Sequence, residues 1–483
     1  MVFDVVGKSQ KISPDILPDE VVEKWRKTLL EEGRAEKARE ASKRALAPSD
    51  TDALARAVFE RISIQASNNG VYLNDEDLLM LLGDLSGLGP LLELVARPDI
   101  EDVAINLGHI YAYTTSKGWE HIGPTPPGTG EAIRVLIDRA HGNPPTPDHP
   151  IADATLTQTI PTANGITRKG IRVNYIMPPA SPYGDVITLR VKDYGIQDTG
   201  TDDGLASLCS SRLPPVARRP FKPIAFPDGD GVMTPEAANY ILSIMVNGGT
   251  LIISGTTGSG KTYVAQRTLQ EMLNFFPKGS IRLFIIEDSN EIVLYKWDGS
   301  SSTDTGNIVY TVTRPKIQAG PDAITMYDLV RAALRSRPHG LVIGEARGPE
   351  AWELIRAAAT GHGHSAFTIH ATGAEHVWER FLQIVRAHEE VKNYSELDIA
   401  KNFAAAVTAI AHIGRSPIYG QIMTEIMEVS PIVERSANRP TFSPIFRFSP
   451  EKNRLVPTGN RPMRKGFQAQ DLGLPDSYFI NSH

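Results

Sequence analysis

The eight residues Gly255, Thr256, Thr257, Gly258, Ser259, Gly260, Lys261 and Thr262 match the spacing GxxxxGK[ST] and follow the apolar run Leu251 to Ser254. Glycine at these positions permits positive φ, so successive backbone N–H groups aim inward, and the helix expected after the loop adds its N-terminal partial charge. Such a cage holds a diphosphate, with Lys261 reaching the β- and γ-phosphates and the Thr262 hydroxyl ligating Mg²⁺. Gly255 through Tyr263 is thus the expected nucleotide-binding stretch. After the loop there is no NKxD string to recognise guanine, so ATP is the expected nucleotide. Kinases, GTPases and helicases share this cage, and the reaction must be read from other residues.

Three further clusters carry chemistry. IRLFIIEDSNEI sets Glu287, Asp288 and Glu291 at the end of an apolar strand. Side chains alternate along a strand, so Glu287 and Asp288 face opposite ways. Glu287 is expected to face the nucleotide and Asp288 to pair or cap, with a solvated turn as the alternative. LVIGEARGPEA puts Glu345 just beyond a four-residue strand, where such enzymes keep the acid that holds Mg²⁺ through water or orients the attacking water. Aspartate is the usual residue there, and the rival role for Glu345 is to cap the amides of GPEA. His362, His364, His370 and His376 fall within fifteen residues, but no carboxylate or thiolate stands at ligand spacing among them, which disfavours metal. His370, ending the FTIH run, is suited to donate a hydrogen bond to the γ-phosphate.

These residues need a scaffold, and the chain has one to offer. With 483 residues, two to four domains are expected. Hydrophobic residues at 41% exclude wholesale disorder. A formal charge of 50 − 56 = −6 makes nucleic acid a poor partner. Cys209 is the one cysteine, which excludes an intrachain disulfide and a cysteine-based zinc ribbon. The opening MVFDVVGKSQK lacks the pattern of a secretory signal, and no run reaches about 18 apolar residues, so no membrane span is expected.

Along the chain, residues 1–50 read as a charged, solvated helical leader and 51–97 as a small helical unit. Residues 98–195 alternate as β-rich runs around one amphipathic helix, an α+β domain. Residues 196–231, with five prolines from Pro214 to Pro227, read as a semi-rigid linker whose Arg212, Arg218, Arg219 and Lys222 are candidates for anionic lipid. From 232 to 430 the runs LIIS, LFII, LVIG and FTIH alternate with amphipathic segments, a layered α/β domain. Residues 431–483 read as an appended β unit and tail.

Taken in order, the phosphate loop, IEDSNEI, GEARGPEA and TGH…TIHA resemble the secretion-superfamily ATPases that drive type II and type IV secretion, conjugation and pilus assembly. SGLGPLLELVARPDIEDVAIN is similar to that family's N-terminal opening, and PIFRFSPEKNRLVPTGNRP to the tail of its tight-adherence pilus branch. The resemblance implies a RecA-like motor behind a smaller N-terminal domain, assembled as a homohexamer. It also implies partners among inner-membrane platform or secretion-channel proteins, with the ATPase on the cytoplasmic face of the cell membrane. By the same resemblance Arg172 and Arg190 approach the phosphates as arginine fingers do, the alternative being sheet-surface residues paired with Asp or Glu. Arg331, Arg335 and Arg337 are weaker candidates for a contact between subunits. Thr256 and Tyr263 stand where the family commonly has glycine and a small Ser or Thr, and His339 with Gly340 where Asp-Arg is usual. With one cysteine, the paired CxxC zinc motif is impossible, which favours the conjugation and tight-adherence branches. The rival functions are a RecA-like nucleic-acid translocase and a nucleotide-gated assembly protein with little hydrolysis.

Overall fold

The computed structural model describes residues 19–43, 48–86, 88–114, 116–162, 165–193, 221–224, 231–294, 306–315, 322–416, 418, 420–434, 436 and 438–480. Most of the expected linker, including Arg212, Arg218 and Arg219, lies outside them, as does Cys209.

Among the described residues, three helices come first, α1 (Asp19–Lys43), α2 (Pro48–Ser67) and α3 (Asp75–Ser86), followed by the short α4 (Leu92–Ala96). The leader is less solvated than its charge suggests. Leu29 of α1 is fully buried, Gly33 lets α1 close against Leu81, and Arg26 and Arg34 pair with Asp77 and Asp84 of α3. The charges thus bind one helix to another, and the boundary expected at residue 50 falls inside α2.

These helices cover one face of an antiparallel sheet built from β1 (Asp102–Asn106), β2 (His109–Thr114), β3 (Gly118–Pro124), β4 (Ile151–Thr162), β5 (Gly165–Ile176) and β6 (Val186–Asp193), with α5 (Thr129–His141) between β3 and β4. The strand order is β3-β2-β1-β6-β5-β4. Val103, Ile105, Val173, Leu189 and Leu156 point into the helical side, as alternation requires. The opposite face carries Asn106, Tyr111, Thr188 and Asn174, and it is this polar face that meets the second unit.

The second unit comprises α6 (Pro235–Val246), β7 (Thr250–Gly255), α7 (Lys261–Leu273), β8 (Arg282–Glu287), β9 (Asn307–Val312), α8 (Met326–Leu334), β10 (Gly340–Ile343), α9 (Glu350–Ala359), β11 (Ser365–Ile369), α10 (Val377–Val385), α11 (Glu396–Ala406), β12 (Ala409–Ser416), β13 (Gly420–Glu434), β14 (Arg439–Ser449) and β15 (Arg454–Pro457). They form one nine-stranded sheet, order β15-β14-β13-β12-β7-β11-β10-β8-β9, parallel from β12 to β9 and antiparallel beyond. Parallel strands covered on both faces read as continuous apolar runs, and LIIS, LFII and LVIG do so for this reason. Phe284, Ile286, Leu341 and Phe367 face α8 to α11, whereas Leu283, Ile285 and Val342 face α6 and α7. The layered α/β unit behind a smaller α+β unit is as expected. The C-terminal strands, however, continue the second unit's sheet, and the boundary expected at residue 430 falls inside β13. Arg464 ties the tail down by donating to the carbonyls of Ala404 and Val407 at the end of α11. Among the described residues no helix is long and apolar enough to cross a membrane.

Candidate functional site

In the central sheet β7, β11, β10 and β8 lie side by side and parallel, so their C-terminal ends form one edge. That edge carries the loop 255–260, His370, Glu345 and Glu287 in that order, which is how four distant stretches of sequence converge. Ligands of open α/β sheets bind at this edge.

The loop turns through Gly258 at φ 71° and Gly260 at φ 92°, values that side chains rarely adopt. It then enters α7 at Lys261. Lys261 is buried, and its ammonium donates to the Thr256 carbonyl at 2.9 Å. Burial lowers its pKa, and Glu345 opposes that shift. The Ser259 hydroxyl is buried with no hydrogen-bond partner among the described residues. Gln421, on β13, closes the loop from outside, donating from Nε2 to the Gly258 carbonyl at 2.8 Å.

Glu345 has both carboxylate oxygens engaged: Oε1 lies 2.9 Å from His370 Nε2 and Oε2 accepts from Arg347 at 2.6 Å. Arg347 also reaches Asp288 at 3.4 Å. Burial would raise the Glu345 pKa, but Arg347, His370 and Lys261 outweigh it and hold the carboxyl below its ordinary range. Burial and Lys261 in turn lower the imidazole pKa of His370. The capping role weighed for Glu345 belongs to Glu350, whose carboxylate accepts from the amides of Arg347 and Gly348 at 2.8 and 2.7 Å.

Glu287 is buried and accepts from the amides of Glu291 and Ile292, so it also shapes the turn after β8; burial pushes its pKa up to about 7. Asp288 stays at the surface, taking the Thr313 hydroxyl and Arg347. The pair and cap roles expected of Asp288 are therefore divided between the two acids.

Other expected residues do not converge here. His362 and His364 precede β11 at its far end and contact the carbonyls of Pro338 and Met245. Arg190 lies on the polar face of the N-terminal sheet and donates to Asp102 at 3.1 Å, with Arg172 beside it in register and exposed. That face abuts the N-terminal ends of β8 and β10 through Arg282 and Arg337, the end of the sheet away from the loop. A strand of six residues such as β8 spans about 20 Å, so neither arginine serves the loop of its own chain in this arrangement. Arg335 and Arg337 are likewise engaged within the chain, with Asp153 and with Glu101 and Asp102, while Arg331 stacks on Tyr327.

Sequence reasoning missed Arg347 and Gln421. The signal for Arg347 was a base two residues past the acid in GEAR. Gln421 had none, since its approach depends on strand order.

Residues 230–415 match the family described as Type II/IV secretion system protein. An uncharacterized protein of Methanocaldococcus jannaschii is 28% identical over 252 residues, covering 52% of this chain and 84% of that one. A putative conjugal transfer protein of Mycobacterium tuberculosis is 27% identical over 265 residues, covering 55% of this chain and 63% of that protein, less than two thirds of its length. The type IV secretion system protein VirB11 of Brucella suis is 24% identical over 333 residues, covering 68% of this chain and 84% of that one. In fold, the chain is similar to the crystal structure of the VirB11 ATPase from the Brucella suis type IV secretion system, with a TM-score of 0.53 at 21% identity, over 71% of this chain and 93% of that one.

Proposed function

We propose that this chain, a type II/IV secretion traffic ATPase, hydrolyses ATP and turns binding and release into movement of its N-terminal unit against its motor. The observation that carries the reading is the convergence of Lys261, Glu345 and His370 at one sheet edge beside a glycine-rich loop. Triphosphate draws the Lys261 ammonium away from the Thr256 carbonyl and onto the β- and γ-oxygens. Arg347 and His370 turn from Glu345 toward the γ-phosphate, and the freed Glu345 carboxylate orients a water in line with the γ-phosphorus. Attack forms one P–O bond, breaks the bond to the β-phosphate oxygen, and leaves ADP and phosphate. His370 then loses its phosphate partner and returns to Glu345, which links turnover to the shape of the edge. The Thr262 hydroxyl and the Glu345 carboxylate are hard oxygen donors and fit Mg²⁺, which when bound supplies neutralisation of the β- and γ-oxygens.

The chain then acts as a homohexamer at the cytoplasmic side of a membrane-embedded secretion or pilus machine, in peripheral contact with inner-membrane platform or channel proteins. Relatives named for conjugal transfer and type IV secretion support that setting. Arg172 and Arg190 serve the phosphates of a neighbouring subunit. The net charge of −6 argues against direct nucleic-acid binding. Glu345→Gln should leave ATP affinity within about twofold and reduce turnover by roughly a hundredfold or more, as loss of a group acting at the chemical step does. Titration with ATP and a phosphate-release assay measure both. Unchanged turnover removes Glu345 from the mechanism.

A further inference from the structure

The loop between β5 and β6 carries the N-terminal unit into the second one. Its Ala180 is fully buried in the core beneath α8 to α11, and the Ala180 carbonyl accepts from the Val312 amide at 2.9 Å. Three residues on, Tyr183 meets the acidic turn that follows β8. Its hydroxyl accepts from the Asn290 side-chain amide, and its ring stands edge to face against Tyr310 with centroids 5.3 Å apart. Tyr310 also holds the far end of that turn, accepting from the Leu294 amide at 3.1 Å. The near end is Asp288, two residues before Asn290. Asp288 is exposed and faces Arg347 at 3.4 Å, while the same guanidinium donates to Glu345 at 2.6 Å. One short turn therefore touches the N-terminal unit on one side and, through Arg347, the acid at the end of β10 on the other.

We propose that Tyr183 is a positioning residue for the reaction: through Asn290 it holds the turn that presents Asp288 to Arg347, and so sets how firmly Arg347 is kept from the γ-phosphate. The inference rests on the reading above, in which Arg347 leaves Glu345 for that phosphate. An exposed ion pair such as Arg347 with Asp288 is worth little, and a phosphate with more charge and more acceptor oxygens competes well for a guanidinium. Arg347 thus has two alternative positions, and whatever steadies Asp288 favours the one on the acids. The hydrogen bond and the aromatic contact of Tyr183 do so from the N-terminal unit. Linkage makes the effect reciprocal: docking of the N-terminal unit opposes triphosphate, and triphosphate loosens the docking at Tyr183. ADP has no γ-phosphate to draw Arg347 and stays outside this exchange. The N-terminal unit then tells ATP from ADP through Tyr183, which reaches neither.

The test is titration of the full chain with a non-hydrolysable ATP analogue and with ADP. Asp288→Asn removes the competing charge and should tighten the analogue about two- to fivefold with ADP unchanged. Tyr183→Phe keeps the ring against Tyr310 and deletes the acceptor for Asn290, and Asn290→Ala deletes the donor. Each should tighten the analogue about twofold or more, again with ADP unchanged. Damaged packing weakens a ligand or leaves it as it was, so tightening confined to the analogue is a sign that a merely structural role does not give. In the Asp288→Asn background Tyr183→Phe should add nothing, because the group it positions is gone. An unchanged ratio of analogue to ADP affinity in Tyr183→Phe overturns the assignment, as does a gain that survives in the double variant. Lys261→Ala separates this inference from the reading beneath it: retention of both ligands there sinks the phosphate loop, whereas the role of Tyr183 is read from the ratio of the two ligands in chains whose loop is intact.

Discussion

Glu287 ends β8 and His339 precedes β10, so they sit at opposite ends of the parallel strands, and burial moves their pKa values in opposite directions. The Glu287 carboxyl is pushed up to about 7 and the His339 imidazole down to about 4, where it accepts from the Arg282 amide through Nδ1. Between pH 4.5 and 7 folded Glu287 holds a proton that the unfolded chain has released, so its contribution falls as pH rises. Between pH 4 and 6.5 the unfolded chain takes up a proton that folded His339 refuses, so its contribution rises with pH. Each is worth about 3 kcal/mol across its window, and the two largely offset where the windows overlap. Glu287→Gln removes one side of this balance. Its stability relative to the unaltered chain should improve by about 3 kcal/mol from pH 4.5 to 7, measured as the difference in urea midpoints at the two pH values. A constant difference would mean that Glu287 is ionised throughout. The loop, Glu345 and His370 were legible in sequence because spacing around a strand end is local. Gln421 was not, because its approach to the loop depends on which strands become neighbours, whereas Arg347 stood two residues past the acid and its pairing there is local.

Between the two units the decisive element is the start of β8. Arg282 is fully buried there, between Trp119 and Phe284, with ring centroids 5.1 and 5.2 Å from its guanidinium carbon. It donates to Asn106 and Thr188 of the N-terminal sheet and to Asn307 and the Ser336 carbonyl of the second unit. No carboxylate accepts from it directly among these contacts; aromatic faces and amide oxygens satisfy the charge instead. Arg282→Met keeps the length of the side chain but strands four acceptors, and should cost about 3 kcal/mol. The loss falls on the seam, so urea unfolding should split into two steps, the first releasing the N-terminal unit, as followed by circular dichroism and limited proteolysis. A single step at an unchanged midpoint would mean the seam does not couple the units. In sequence, this arginine was hidden inside IRLFIIE as an ordinary strand opening. The leader helix was misjudged for a related reason: its charges looked solvated, whereas Arg26 and Arg34 are spent on α3. Layers and their apolar faces follow from periodicity, but a charge paired across elements and a solvated one look the same in a string of residues.

At the scale of the whole molecule, the proposed roles of Arg172 and Arg190 make the site incomplete within one chain. The loop edge gathers Lys261, Glu345 and His370, while Arg172 and Arg190 stand in register on the N-terminal sheet, at the other end of the second unit's strands. If these arginines act as proposed, they reach that edge from a second copy, and a head-to-tail contact that repeats and closes makes a ring. Both arginines are exposed, but Arg190 is tied to Asp102, so Arg172 is the better placed of the two to leave its own chain. Arg172→Ala should keep ATP affinity and lose about a hundredfold in turnover, and Lys261→Ala should lose binding itself. Mixed in equal amounts, these two inactive variants should regain about a quarter of full activity. That is the share of randomly formed interfaces joining an intact loop from one subunit to an intact arginine from the next. Light scattering on the same mixture should report one ring-sized species. If the mixture assembles and stays inactive, the arginine acts within its own chain, and the seam at Arg282 must open far enough in each cycle to carry the N-terminal sheet to the loop edge.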